Sequence, residues 1–170
     1  EHEYIFVHSV RDDNSLCPIV DKIDIVVPGS EIWDDFIEDL PVKVENVIFQ
    51  GKLIIFEFTS YCSGKTWWAW NTLGMSGGWR SEHSKHGHVE FRTKSRSVFF
   101  TDMRNFGTLK FTNSLEETNK KKKTIGPNHL SEEISDALFK ERLMKWRNKT
   151  LPEALMNQSL IGGIGNYIKA

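Results

Sequence analysis

Four short stretches of this chain carry side chains with chemistry to offer. In Gln50-Gly51-Lys52 an amine sits at the tip of a turn ahead of the apolar run Leu53 to Phe58. A charged lysine there suits a phosphate, whereas imine formation would need its pKa depressed by neighbouring cations. Asn71-Thr72-Leu73-Gly74-Met75-Ser76-Gly77-Gly78-Trp79 places a flexible thioether between glycines, where it can project from a strand-to-strand loop. Thr101-Asp102-Met103-Arg104-Asn105-Phe106-Gly107 sets a guanidinium and an aromatic ring two residues apart, on one side of an extended segment. The stretch from Leu155 to Ala170 runs an apolar helical segment into Ile161-Gly162-Gly163-Ile164-Gly165-Asn166. Its glycines permit left-handed backbone angles and close approach of a partner. Asn166 can cap the following helix, whose first N–H groups suit a phosphate. Taken singly, each stretch has a plainer reading: Met75 and Phe106 as core, Arg104 and Lys52 as surface charges, the glycine turn as packing. His83, His86 and His88 raise the thought of a metal site, but no Cys or carboxylate pattern accompanies them, so no metal and no cofactor are expected.

The elements that must hold these groups are read from pattern. At 170 residues the chain can form one medium domain or two small ones with a real core. A hydrophobic share of 39% and a charged share of 26% are ordinary for a globular protein, and a net charge of -1 means that any basic surface must come from local clustering. Cys17 and Cys62 are too few for a disulfide framework and badly spaced for zinc, which points to a reducing, intracellular setting. No apolar run approaches the ~20 residues of a membrane span, and no membrane is expected as a partner.

Residues 3 to 10 are aromatic and β-branched and suggest a strand, residues 11 to 15 a turn, and residues 19 to 27 a second strand. Apolar residues at 32, 33, 36, 37 and 40 form one helical face behind Ser30, and Pro41 ends that helix. From 42 to 112 the period changes to two. Residues 42–49, 53–58, 67–73, 88–92, 97–101 and 107–112 are six strand candidates, dense enough for an antiparallel sandwich or barrel. Residues 113 to 124 are polar and hold Lys120-Lys121-Lys122-Lys123, read as a solvated helix face or a linker. Gly126-Pro127 breaks the chain, Ser131-Glu132-Glu133-Ile134 resembles a helix cap, and residues 151–160 form a further helix with Pro152 in its first turn.

In order and spacing, LGMSGGW, DMRNFG and LMNQSLIGGIGNYIKA, with GK before a strand and GP before the helices, resemble the formamidopyrimidine-DNA glycosylase and endonuclease VIII family of base-excision repair enzymes. The likeness covers about residues 33 to 170, and DMRNFG and the lysine-rich style resemble the versions carried by large DNA viruses. It implies an α+β fold: an antiparallel β-sandwich, residues 1–125, followed by the start of a helix-two-turns-helix DNA-binding module, residues 126–170. It also implies roles. Met75, Arg104 and Phe106 match the residues that fill the gap left when a damaged nucleotide flips out of the duplex. Lys52 matches the lysine near the lesion phosphate. His86, in Lys85-His86-Gly87-His88, matches a histidine on a backbone phosphate, and Asn166 with the N–H groups around Gly165 matches the phosphate clamp. The implied partner is double-stranded DNA carrying a lesion, with the nucleus or a cytoplasmic viral factory as the setting of a viral member.

The resemblance departs at both ends. The family's nucleophile is an N-terminal Pro with an adjacent Glu, whereas this chain starts Glu1-His2-Glu3. Three readings stay open: the Pro-bearing segment is missing here, the member has kept the fold and lost the nucleophile, or the α-amine of Glu1 serves. The second clamp helix and the finger would follow Ala170, so a fragment or a truncated member is expected. The apolar face of helix 151–160 is then expected to need another protein chain to cover it. Recognition of damaged bases with N-glycosylase and AP lyase chemistry is the implied function. Its rival is a catalytically inactive module that binds DNA or serves a larger assembly.

Overall fold

The computed structural model describes residues 19–20, 22–25, 31–93, 96–128 and 133–169. The strand and turn expected within residues 3 to 15 lie outside the described residues, as does Glu1. The chain forms two compact units, the first made of the residues up to Ile48 with Ile54–Ser114, the second of Phe49–Leu53 with Leu115–Ala170.

Among the described residues the first unit holds nine strands and one helix. In chain order these are β1 (Ile19–Val20), β2 (Lys22–Ile25), α1 (Glu31–Glu38), β3 (Val42–Gln50), β4 (Leu53–Ser60), β5 (Thr66–Thr72), β6 (Gly78–Arg80), β7 (Gly87–Arg92), β8 (Ser97–Thr101) and β9 (Thr108–Thr112). They form two sheets, ordered β1-β3-β4-β5-β9 and β2-β7-β8-β6. All six strand candidates between 42 and 112 are strands. The sheet acquires one more, β6, whose three residues hold a single large apolar side chain and so show no period of two. The expected run 19–27 becomes two short strands in different sheets.

Why this unit closes is visible in its aromatic content. Phe36, Phe56, Phe58, Trp67, Phe91, Phe100 and Phe111 are buried in one cluster with Val42, Val44, Ala69, Val89 and Val98. Phe36 on α1 stacks on Phe111 of β9 at 4.5 Å, so the helix covers one sheet with the face its spacing foretold. Polar groups beside this cluster find partners. Trp67 Nε1 donates to Asp39 Oδ2 at 2.8 Å. Asn71 takes a bond from Trp79 Nε1 at 2.9 Å and gives one to the Thr108 carbonyl at 2.8 Å.

The second unit holds α2 (Leu115–Lys123), α3 (Asp136–Met144), α4 (Leu151–Met156) and α5 (Asn166–Lys169). The lysine-rich stretch is a helix, not a linker, with its four lysines in the last turn, where cations complement the helix dipole. α3 does not open behind Ser131. Residues 133–135 are non-helical and Ser135 is the cap, its hydroxyl accepting from Leu138 N at 3.3 Å. α4 ends at Met156 and not at Leu160. Asn157 turns its own side chain onto the backbone, Oδ1 accepting from Ser159 N at 2.8 Å, and that local bond competes with another helical turn. The apolar face expected to await another chain is covered by the chain itself. Ala154, Leu160, Ile161 and Ile164 are buried against Ile134, Phe139, Leu143, Trp146 and Leu155. Leu151 stays exposed.

Candidate nucleic-acid interface

Two loops of the first unit leave from paired strand ends. β5 pairs with β9 so that Thr72 faces Thr108, and β6 pairs with β8 so that Gly78 faces Thr101. Residues 73–77 and 102–107 therefore run side by side between the same two pairs of strands. Gly74, at φ 61°, allows their contact. A Cβ there would lie 2.8 Å from both the Gly107 nitrogen and the Phe106 carbonyl carbon.

From these loops Met75 and Phe106 stand into solvent at 74% and 62% exposure, and Arg104 is exposed as well. Arg104 Nη1 lies 3.8 Å from Met75 Sδ. A core reading of Met75 and Phe106 fails on exposure, and the structure brings Arg104 onto Met75 while Phe106 stands exposed on the same loop as Arg104. Asn105, at φ 56°, makes the turn that separates Arg104 from Phe106.

What holds the loops is Asp102, a residue with no assigned role in the sequence reading. It is buried at 2% exposure. Its Oδ1 accepts from Ser76 Oγ at 2.5 Å and from Arg104 N at 3.2 Å, and its Oδ2 accepts from Gly107 N at 2.6 Å. The Ser76 hydroxyl, then the Gly107, Arg104 and Phe106 N–H groups, hold its carboxyl at about 2, against the opposing effect of burial. A sequence signal did exist: an Asp opening a turn before Asn and Gly commonly accepts from the backbone N–H two residues on.

Asp102 also fastens the histidine segment. Its N–H donates to the His86 carbonyl at 3.0 Å, and its carbonyl oxygen lies 2.8 Å from His88 Nε2. His86 is half-buried. His83 meets Phe99 edge-on at 5.5 Å. Among the described residues no three His, Cys, Asp or Glu side chains are grouped to hold a metal ion.

In the second unit, Lys52 is exposed on the tip between β3 and β4. The tip meets the glycine turn closely. Gly51, at φ 58°, carries its Cα so near that a Cβ would lie 2.8 Å from Gly162 Cα and from Gly163 N. A Cβ on Gly165 would lie 3.0 Å from Lys52 Nζ, so the third glycine makes room for the amine. Gln158 supports the turn from within: Gly163 N donates to its Oε1 and its Nε2 donates to the Ile164 carbonyl, both at 2.9 Å. Gly126 N donates to the Gln158 carbonyl at 2.7 Å and Gly162 N to the Pro127 carbonyl at 2.9 Å. The GP break and the glycine turn are thus one piece of structure. Asn166 opens α5 and is exposed. Lys52, Gly165 and Asn166 are gathered in this unit, as Met75, Arg104, Phe106 and the backbone of His86 are in the other.

The fold is α+β, two antiparallel sheets with a helical unit in the same chain. Residues 26–109 match the family model of the formamidopyrimidine-DNA glycosylase N-terminal domain. A formamidopyrimidine-DNA glycosylase of Listeria monocytogenes is 28% identical over 158 residues, 86% of this chain and 55% of its own length. That of Desulfitobacterium hafniense is 36% identical over 86 residues, 50% of this chain and 31% of its own. Among solved structures, a complex of the Lactococcus lactis Fpg with DNA containing an abasic site superposes with a TM-score of 0.72 at 25% identity, over 89% of this chain and 57% of that one. An inhibited LlFpg with DNA containing N7-benzyl-Fapy-dG gives 0.74 at 25%, over 91% and 59%. Family model, relatives and solved structures thus agree on what this chain is similar to, the formamidopyrimidine-DNA glycosylases. The chain spans 55% of the length of the Listeria relative it matches.

Proposed function

We propose that this chain recognises damaged bases in duplex DNA, as the sandwich and part of the DNA-binding module of a base-excision repair glycosylase with AP lyase activity. The observation that carries the reading is the trio on the two loops. Met75 and Phe106 are held in water on a hydrogen-bonded base, with the Arg104 guanidinium against the Met75 sulfur, and exposed apolar side chains of this size mark a surface that meets a partner. A duplex from which one nucleotide has been flipped offers what they lack. The thioether and the ring replace lost stacking, and Arg104 donates to the base left without its partner.

In the same reading Lys52, His86, Asn166 and the N–H groups around Gly165 contact phosphates, which fixes position on the duplex without reading sequence. The glycosylase and lyase steps need an amine that attacks the sugar, for which Lys52 is the candidate among the described residues. The setting is intracellular, and kinship with the versions of large DNA viruses rests on DMRNFG and the lysine-rich style.

The test is binding of wild type and the Arg104→Ala/Phe106→Ala double variant to duplexes with and without an abasic site or an oxidised base. The double variant is expected to lose about tenfold on the lesion duplex, the scale of one lost base–aromatic stack, and little on the intact one. Equal loss on both duplexes overturns the gap-filling roles. Borohydride trapping on the same duplexes reads the chemistry. An adduct mapped to Lys52 or to the N-terminus names the amine, and binding with no adduct favours a recognition module without its own nucleophile.

A further inference from the structure

We infer that Asp102 is a positioning residue that welds three segments into a preformed wedge, so that Met75, Arg104 and Phe106 enter DNA already in place. The inference rests on the lesion-recognition reading above and adds to it a residue that touches no DNA.

All four polar atoms of Asp102 are engaged, and they reach three separate stretches of chain. Oδ1 holds Ser76, next to Met75. Both carboxylate oxygens hold the backbone of its own loop, at Arg104 N and Gly107 N. Its N–H holds the His86 carbonyl, and its carbonyl oxygen faces His88 Nε2. Ser76 closes the ring of contacts, since its Oγ also accepts from Arg104 N at 3.1 Å. A buried carboxylate that is fully partnered resists rearrangement, because each donor it released would be left unpaired. Two exposed loops of mainly small and polar residues would otherwise sample many conformers and lose that freedom on binding. The carboxylate has removed that cost in advance.

The prediction is specific to discrimination. Asp102→Asn keeps the size of the side chain but turns one of its two oxygens into an NH2 group that faces donors. It is expected to reduce the preference for lesion over intact duplex about tenfold, the loss of one ordered stacking contact, with intact-duplex affinity unchanged. A 2-aminopurine placed opposite the lesion should report, by a smaller fluorescence change, that the wedge no longer reaches the orphaned base. Ser76→Ala removes one donor to the carboxylate and one acceptor for Arg104 N, leaves the Gly107 bond in place, and should give a smaller loss in the same direction, and it decides the matter if Asp102→Asn does not fold. The Arg104→Ala/Phe106→Ala variant is run alongside. If that variant loses the preference while Asp102→Asn and Ser76→Ala keep it, the wedge inference is overturned and the recognition reading stands. If that variant keeps the preference, the recognition reading itself fails and the inference falls with it.

Discussion

Gly74 and Asp102 set the terms on which the exposed side chains around them exist. Gly74 occupies a left-handed angle against the neighbouring loop, so Gly74→Ala should destabilise the chain by about 1–2 kcal/mol from the angle alone, before any clash with Gly107 and Phe106. Denaturant unfolding measures this, and a change of a few tenths would mean that the loops part easily. Asp102 gives a pH signature. Its carboxyl lies at about 2 when folded, below the ordinary 3.8, so between those values the unfolded chain binds more protons. The stabilisation is complete above the ordinary value and is lost as pH falls towards 2. Acid unfolding followed by tryptophan fluorescence should therefore show wild type losing stability across that window more steeply than Asp102→Asn. Parallel curves would mean that the carboxylate is not held as described. The residue types that bear chemistry could be read from the sequence, since Met75, Arg104, Phe106 and Lys52 stand in recognisable strings. The groups that hold them could not, because Ser76 and Asp102 meet across 26 positions of sequence.

At the scale of elements, period two was enough to find six strands between 42 and 112, and the apolar spacing 32, 33, 36, 37, 40 was enough for α1. Boundaries depended on single side chains. α4 starts at a capping box in which Thr150 accepts from Glu153 N and Glu153 accepts from Thr150 N at 2.9 Å. Thr150→Ala should lower stability by about 1 kcal/mol, seen as a lower urea midpoint with an unchanged slope. A changed slope would place the effect in the unfolded chain. The same helix stops where Asn157 bonds to Ser159, a preference of Asn that periodicity cannot register when apolar residues continue to Leu160 and Ile161. β6 escaped notice because three residues carry no period at all.

For the molecule as a whole, the tip Phe49–Leu53 belongs by contact with the second unit although its flanking strands belong to the first. Lys52 thereby joins Gly165 and Asn166 in one unit. If that amine meets a phosphate, Lys52→Ala should weaken binding to lesion and intact duplexes alike and reduce the slope of log affinity against log salt by about 0.9. An unchanged slope would remove Lys52 from the phosphate contacts and leave it to chemistry or to solvent.

By itself the sequence determined the α+β class, the run of antiparallel strands and the family resemblance, because alternation, turn residues and motif order are local properties that survive without a third dimension. Only the tertiary structure decided that the apolar residues after Leu151 are covered from within, that Gly51 needs its missing side chain because of Gly162, and that one aspartate ties together three segments. Those are contacts between residues far apart in the chain, and what decides them is the space and the unpaired donors each leaves for the other.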